Sequence, residues 1–325
     1  MGRFIFSIGL VIVGIGIGYL IQRLVNYNKI SLPVEKTRRG LQKAALLFFN
    51  PIAILGATWS ANIHDIKIAG LPFIGITALI SGGLLAFAAS GMLNLDKKQT
   101  GSFLVCGSFT NIGSLGALFC FLFLGEQGFA LVPFYKLFEE TFYYAVGFPM
   151  AKSFSDDLSD TPSFLTRVKS ALSDIFVLVA VTCIGVGLIL NLSGIERPEV
   201  YTQINQIFIP VAALLLLISI GMAMRFSSVK TFLKPAITVS AIKFILVPVV
   251  VVTLGYMLGL DQIDNGLPLK VILILSSMPV GFIAMVPPTL YKLDVDLANA
   301  CWLVTNGALL FTIPMLLAFI RLILS

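Results

Sequence analysis

Residues 108–116 read Ser-Phe-Thr-Asn-Ile-Gly-Ser-Leu-Gly, and residues 276–281 read Ser-Ser-Met-Pro-Val-Gly; each stretch interrupts an otherwise apolar run. Asn111, Gly113 and Gly116 in the first, and Pro279 and Gly281 in the second, break a helix near its middle. A break of that kind leaves backbone amides and carbonyls without intrahelical partners. Lipid cannot satisfy them, whereas a solute or ion in a protein-lined cavity can. Where the amino end of a half-helix faces such a cavity, its N–H groups and partial positive charge favour an anion. Ser108, Thr110, Asn111, Ser276 and Ser277 add side-chain hydrogen bonds, and Thr305 and Asn306, before Gly307, add more from a later segment. The blander alternative is that glycine and proline here only kink tightly packed helices.

A second group of candidate residues is ionisable. Lys136, Glu139 and Glu140 follow Pro133, and spacings of three and four residues let Lys136 reach both carboxylates. Ionisable groups at membrane depth are functional candidates, and a buried carboxylate can carry a coupling proton. An ion pair that merely orients a helix end is the competing explanation. Lys243 is isolated in its apolar run and calls for a carboxylate or a cavity, with Glu139 or Glu140 available as partner. No span carries a His or Cys cluster, an aspartate pair or a nucleophile beside a base, so neither an enzyme nor a metal or cofactor site is expected. His64 reads as a solvated loop residue. Trp59 and Trp302 read as interfacial belt residues.

The elements that position these groups are membrane helices. The chain is 58% hydrophobic and 12% charged, against about 25% charged in soluble domains, and its mean hydropathy is +0.98. Apolar runs of about 17–25 residues predict an all-α polytopic protein of ten spans. They cover roughly 4–24, 41–60, 67–92, 100–124, 128–151, 171–192, 203–224, 233–259, 269–291 and 297–322. The first run is too long for a signal peptide and is read as a retained helix. Cys106, Cys120, Cys183 and Cys301 all fall within spans, where a free cysteine acts as a small apolar residue.

Of 22 Lys and Arg, fifteen between Arg23 and Lys292 fall in loops on one side, whereas Arg3, Lys67, Arg197, Lys270 and Arg321 fall on the other. The positive-inside rule makes the richer side cytoplasmic and turns both termini outward, in the plasma or inner membrane. The basic residues form no groove or helical stripe, which argues against nucleic acid.

The halves repeat weakly at an offset of about 160–170 residues. Pro51 pairs with Pro210, Pro72 with Pro235, Gly113 with Gly281, Pro149 with Pro314, and Ile15–Gly18 with Ile184–Gly187. Five spans per half is an odd number, so the second copy must enter the membrane from the opposite side. The expected organisation is a first five-helix repeat over 1–151, a cytoplasmic linker over 152–170 and an inverted second repeat over 171–325. The broken spans 4 and 9 would cross.

Met278-Pro-Val-Gly-Phe-Ile-Ala-Met285, Tyr291–Ala298 and Asn306–Pro314 resemble the C-terminal signature of the auxin efflux carrier family. Thr110–Gly116 resembles that family's fourth-span crossover, and Tyr135–Pro149 its fifth span. The resemblance implies spans 1, 2, 6 and 7 as a scaffold and spans 3–5 and 8–10 as an elevator-like transport domain. It implies secondary efflux of small organic anions such as carboxylates, often by dimers. By position it sets Asn111 and Pro279 at the crossover that holds the substrate carboxylate. Lys136, Glu139 and Glu140 stand where that family carries other polar residues, so substrate and coupling ion, proton or sodium, stay open. The short central loop matches microbial members. A sodium-coupled organic anion symporter of the bile-acid type and a non-transporting membrane sensor are the alternatives.

Overall fold

The computed structural model describes residues 2–61, 65–156, 163–224 and 229–323. His64, Arg225 and the linker residues Asp157, Ser159, Asp160, Thr161 and Pro162 lie outside them. The described residues form helices joined by turns, with no strand among them; a single antiparallel bridge pairs Thr110 with Val280. Eight stretches among them are long and apolar enough to cross a membrane: Gly9–Asn26, Val34–Trp59, Ile66–Met92, Ile112–Lys152, Ile175–Leu192, Val200–Gly221, Leu233–Met257 and Val295–Ile320.

The difference from ten has a local cause. The expected fourth span is divided: Lys97–Ser108 forms one helix, and the residues beyond Asn111 join the fifth span in the 41-residue stretch Ile112–Lys152. Gly125 bends that stretch with φ 73°, so Glu126, read from the sequence as part of a loop, lies within it. The expected ninth span is divided into Leu267–Ser276, the 3₁₀ turn Phe282–Met285 and Val286–Leu290.

The chain separates into two compact units. The first comprises residues 1–63, 114–133 and 175–224. Within it, Gly2–Asn26 packs on Val200–Gly221, and Ile175–Leu192 packs on Asn50–Trp59. The second glycine of the Ile-Gly-x-Gly motif of each expected repeat stands at these crossings. A methyl group on Gly18 would overlap the Ile218 carbonyl oxygen, and one on Gly221 would overlap that of Ile15. On Gly187 it would come within 2.9 Å of Thr58 and 3.0 Å of the Leu55 carbonyl. Small residues that let backbones touch are the usual means of associating helices where lipid removes the hydrophobic drive.

The second unit comprises residues 64–113, 134–174 and 225–325. It contains both breaks. The Lys97–Ser108 helix opens with a capping box: Asp96 accepts from the Gln99 amide at 2.8 Å, and the Gln99 side chain accepts from the Asp96 amide. Lys97 donates to the Ser155 carbonyl and Lys98 pairs with Asp156, tying this helix start to the segment after Lys152. The Lys98 ammonium holds the Asp156 carboxyl below its ordinary range.

Gly221→Ala should push the Gly2–Asn26 and Val200–Gly221 helices apart, at a cost of about 1–3 kcal/mol. Gly9 faces open space, so Gly9→Ala should be neutral. Thermal unfolding of the purified variants in detergent checks the contrast.

Candidate crossover site

Both breaks arise from local chemistry. Lys97–Ser108 ends where the Thr110 hydroxyl donates to the Ser108 carbonyl at 3.3 Å, and Phe109 turns extended at φ −80°, ψ 130°. Leu267–Ser276 ends because Pro279 has no N–H and restricts Met278 to extended backbone. Helical structure resumes at Ile112 and at Phe282.

The two extended segments cross and pair. The Asn111 amide donates to the Pro279 carbonyl at 2.9 Å, and the Gly281 amide donates to the Phe109 carbonyl at 3.1 Å. A Cβ on Gly281 would lie 2.8 Å from the Thr110 carbonyl oxygen, so the pairing needs glycine there. Other elements satisfy the remaining groups. The Val280 amide donates to Thr305 Oγ1 at 3.2 Å, and Asn306 Nδ2 donates to the Val280 carbonyl at 3.3 Å. The Thr110 amide donates to Tyr143 Oη at 3.3 Å. The Ser108 carbonyl, the last of its helix, accepts from Lys243 Nζ at 3.0 Å. The amides next in order, Ile112 and Gly113, open a new helix, whose first-turn N–H groups have no intrahelical acceptor.

Three ionisable residues, Lys136, Glu139 and Lys243, stand at this crossing. Lys136 Nζ is 3.5 Å from Glu139 Oε2 and lies 3.2 Å from where a Cβ on Gly113 would be. Tyr143 Oη donates to Glu139 Oε1 at 2.5 Å. Lys243 Nζ also donates to Thr110 Oγ1 at 2.6 Å. Glu139, Tyr143, Thr110 and Lys243 therefore form one hydrogen-bonded chain.

Most of the sequence candidates thus converge: Ser108, Thr110, Asn111, Gly113, Pro279, Gly281, Asn306, Lys136, Glu139 and Lys243. Three stand apart. The Ser276 hydroxyl points back to the Leu273 carbonyl of its own helix, the Ser277 amide closes the same turn, and half-buried Glu140 takes no part in the chain. Lys136 forms its ion pair with Glu139 alone among the described residues. Lys243 meets a helix carboxyl end and a hydroxyl rather than a carboxylate. Trp302 is fully buried, edge-on to Phe282 at 5.7 Å, and is not an interfacial belt residue. Its indole N–H and the Asn306 Oδ1 are buried without hydrogen-bond partners among the described residues.

Sequence reasoning missed two features. Tyr143 carried no signal, being one aromatic in a Phe- and Tyr-rich run. In the first unit, Glu126 and Arg197 form a mostly buried two-point ion pair, supported by Asn205 Nδ2 on Glu126 at 2.5 Å and by Arg197 donating to the Gly56 carbonyl at 2.9 Å. The Gly125-Glu126-Gln127 run looks like a loop.

Broken helices paired through their backbones inside an apolar fold are a transporter's device, and comparison with known sequences agrees. The family description "membrane transport protein" matches residues 5–317, nearly the whole chain. The chain belongs to the membrane transport protein family. This is the family of the auxin efflux carriers, as the resemblance of its crossover and last two spans implied. The transporter is 22% identical over 284 residues to an uncharacterized transporter of Methanothermobacter thermautotrophicus, covering 86% of this chain and 88% of that one. It is 24% identical over 266 residues to an uncharacterized transporter of Methanocaldococcus jannaschii, covering 78% and 80%.

In this transporter Thr305→Val should leave the Val280 amide buried without an acceptor and lower stability by about 1–3 kcal/mol. Arg197→Met should cost about 3 kcal/mol by stranding Glu126. Thermal unfolding of each purified variant against the parent reads both.

Proposed function

We propose that this membrane transporter is a secondary active carrier of small organic anions, exporting carboxylates by an elevator-type movement. The observation that carries the reading is the placement of Lys136. Its ammonium stands beside Gly113, where the amides of Ile112 and Gly113 begin a helix, and the crossover amides before them are already bonded to protein. A carboxylate at that helix start would meet first-turn N–H groups, the Asn111 side chain and a cation together. Thr110, Ser108, Asn306, Pro279 and Gly281 belong to the crossing beside this position, whereas Ser276 and Ser277 bond within their own helix. Glu139 shares Lys136 with the anion, so its protonation would change how strongly Lys136 is held; this gives Glu139, with Glu140 nearby, a gating or coupling role.

The same reading extends to topology: ten spans in two inverted five-helix repeats, 1–151 and 171–325. Ile112–Lys152, at about 1.5 Å per residue, is about 60 Å long and can cross a hydrocarbon core of about 30 Å twice. The reciprocal packing of the repeated glycine motifs, first span on seventh and sixth on second, is what an inverted duplication produces. Gly9–Asn26 and Ile175–Leu192, each with 17% of residues buried, offer apolar faces suited to lipid. Both termini would face outward, and the carrier would work in the cell membrane, as a homodimer in keeping with the family resemblance.

Uptake of labelled malate, malonate and indole acetate into proteoliposomes, under imposed proton or sodium gradients in turn, tests the function. Net flux of one acid is expected. Asn111→Ala should insert normally and lose that flux by at least tenfold, about 1.4 kcal/mol of binding. Binding without flux in the parent would make the protein a sensor, and normal flux in Asn111→Ala would displace the site.

A further inference from the structure

Lys243 and Glu139 are the two charged side chains that are fully buried among the described residues, at 1% and 5% exposure. Lys243 sits on the π-helical turn Ile242–Leu246 of the Leu233–Met257 span. Its ammonium bonds two neutral oxygens, the carbonyl of Ser108 at 3.0 Å and the hydroxyl of Thr110 at 2.6 Å. The first is the carboxyl end of a twelve-residue helix, where the helix dipole favours a cation. Unwound carbonyls and half-helix carboxyl ends are the groups that coordinate a co-transported sodium ion in broken-helix carriers. Glu139 reaches this point only through Tyr143 and Thr110. The cation position beside the crossover is therefore already filled, by a cation that is covalently part of the chain.

We propose that Lys243 is a tethered substitute for a coupling metal ion: its amine occupies the helix carboxyl end, so that the transporter needs no alkali cation to assemble its crossover. Removing the side chain should uncover an alkali-cation site made of the Ser108 carbonyl, the Thr110 hydroxyl and water. The inference rests on the carrier reading for its consequence in transport, namely that anion movement is independent of sodium. Its structural content stands apart from that reading.

The test compares purified parent, Lys243→Ala and Lys243→Met by thermal unfolding in choline chloride and in sodium chloride of equal ionic strength, with sodium as the probe. The parent should melt at the same temperature in both salts. Lys243→Ala should melt lower in choline and recover by about 5 °C as sodium is raised to saturation. Lys243→Met, which fills the space with apolar atoms, should not respond. A parent stabilised by sodium, or a Lys243→Ala protein indifferent to sodium and potassium, would overturn the proposal. Should Lys243→Ala not fold in either salt, binding of radioactive sodium to the parent decides: none is expected, and saturable binding refutes the substitution. A sodium response of Lys243→Ala in a protein that moves no carboxylate would leave this inference standing while removing the carrier reading.

Discussion

A helix interrupted at membrane depth must find other partners for its backbone, because hydrocarbon offers none and each orphaned group costs several kcal/mol. In the second unit of this transporter that constraint is met by pairing one interruption with the other. Asn111 and Gly281 donate across the crossing to Pro279 and Phe109, and Thr305, Asn306, Tyr143 and Lys243 take up the backbone groups that remain. These side chains come from three separate stretches of the unit, so the crossing fixes where those helices must lie. Gly281 is required because a methyl group there would collide with the Thr110 carbonyl.

Charge is distributed in keeping with that constraint. Lys243 answers the carboxyl end of one half-helix, and Lys136 stands beside the amino end of the next, held by Glu139. The hydrogen-bonded chain from Glu139 through Tyr143 and Thr110 to Lys243 links the two positions, so a change at either end is felt at the crossing. With the crossing's own amides occupied, the proposed anion position is the helix start at Ile112 and Gly113.

Much of this was legible in the sequence because glycine and proline act locally. Asn111, Gly113, Pro279 and Gly281 marked both interruptions, since their effect on a helix depends on backbone geometry and not on distant neighbours. The glycine motifs at 15–18 and 184–187 read only as a repeat match; that Gly18 and Gly187 stand at close helix crossings is a finding of the folded chain. Long-range partners were not legible. Lys243 was expected to seek a carboxylate or a cavity, because a lone lysine in an apolar run gives no sign that a helix carboxyl end lies 135 residues away in sequence. Trp302 read as interfacial from its distance to a span end, yet it is buried against Phe282. Glu126 read as a loop residue beside Gly125, and its pairing with Arg197 depends on a bend that only the folded chain reveals.

Amide hydrogen exchange, compared with and without whichever carboxylate shows flux in proteoliposomes, tests most directly the proposal that an anion sits at the crossing. Added protection is expected in peptides covering 109–116 and 279–285, with Gly2–Asn26 and Ile175–Leu192 unchanged. Protection confined to the neighbourhood of Arg197 and Asn205, with none at the crossing, would contradict that placement.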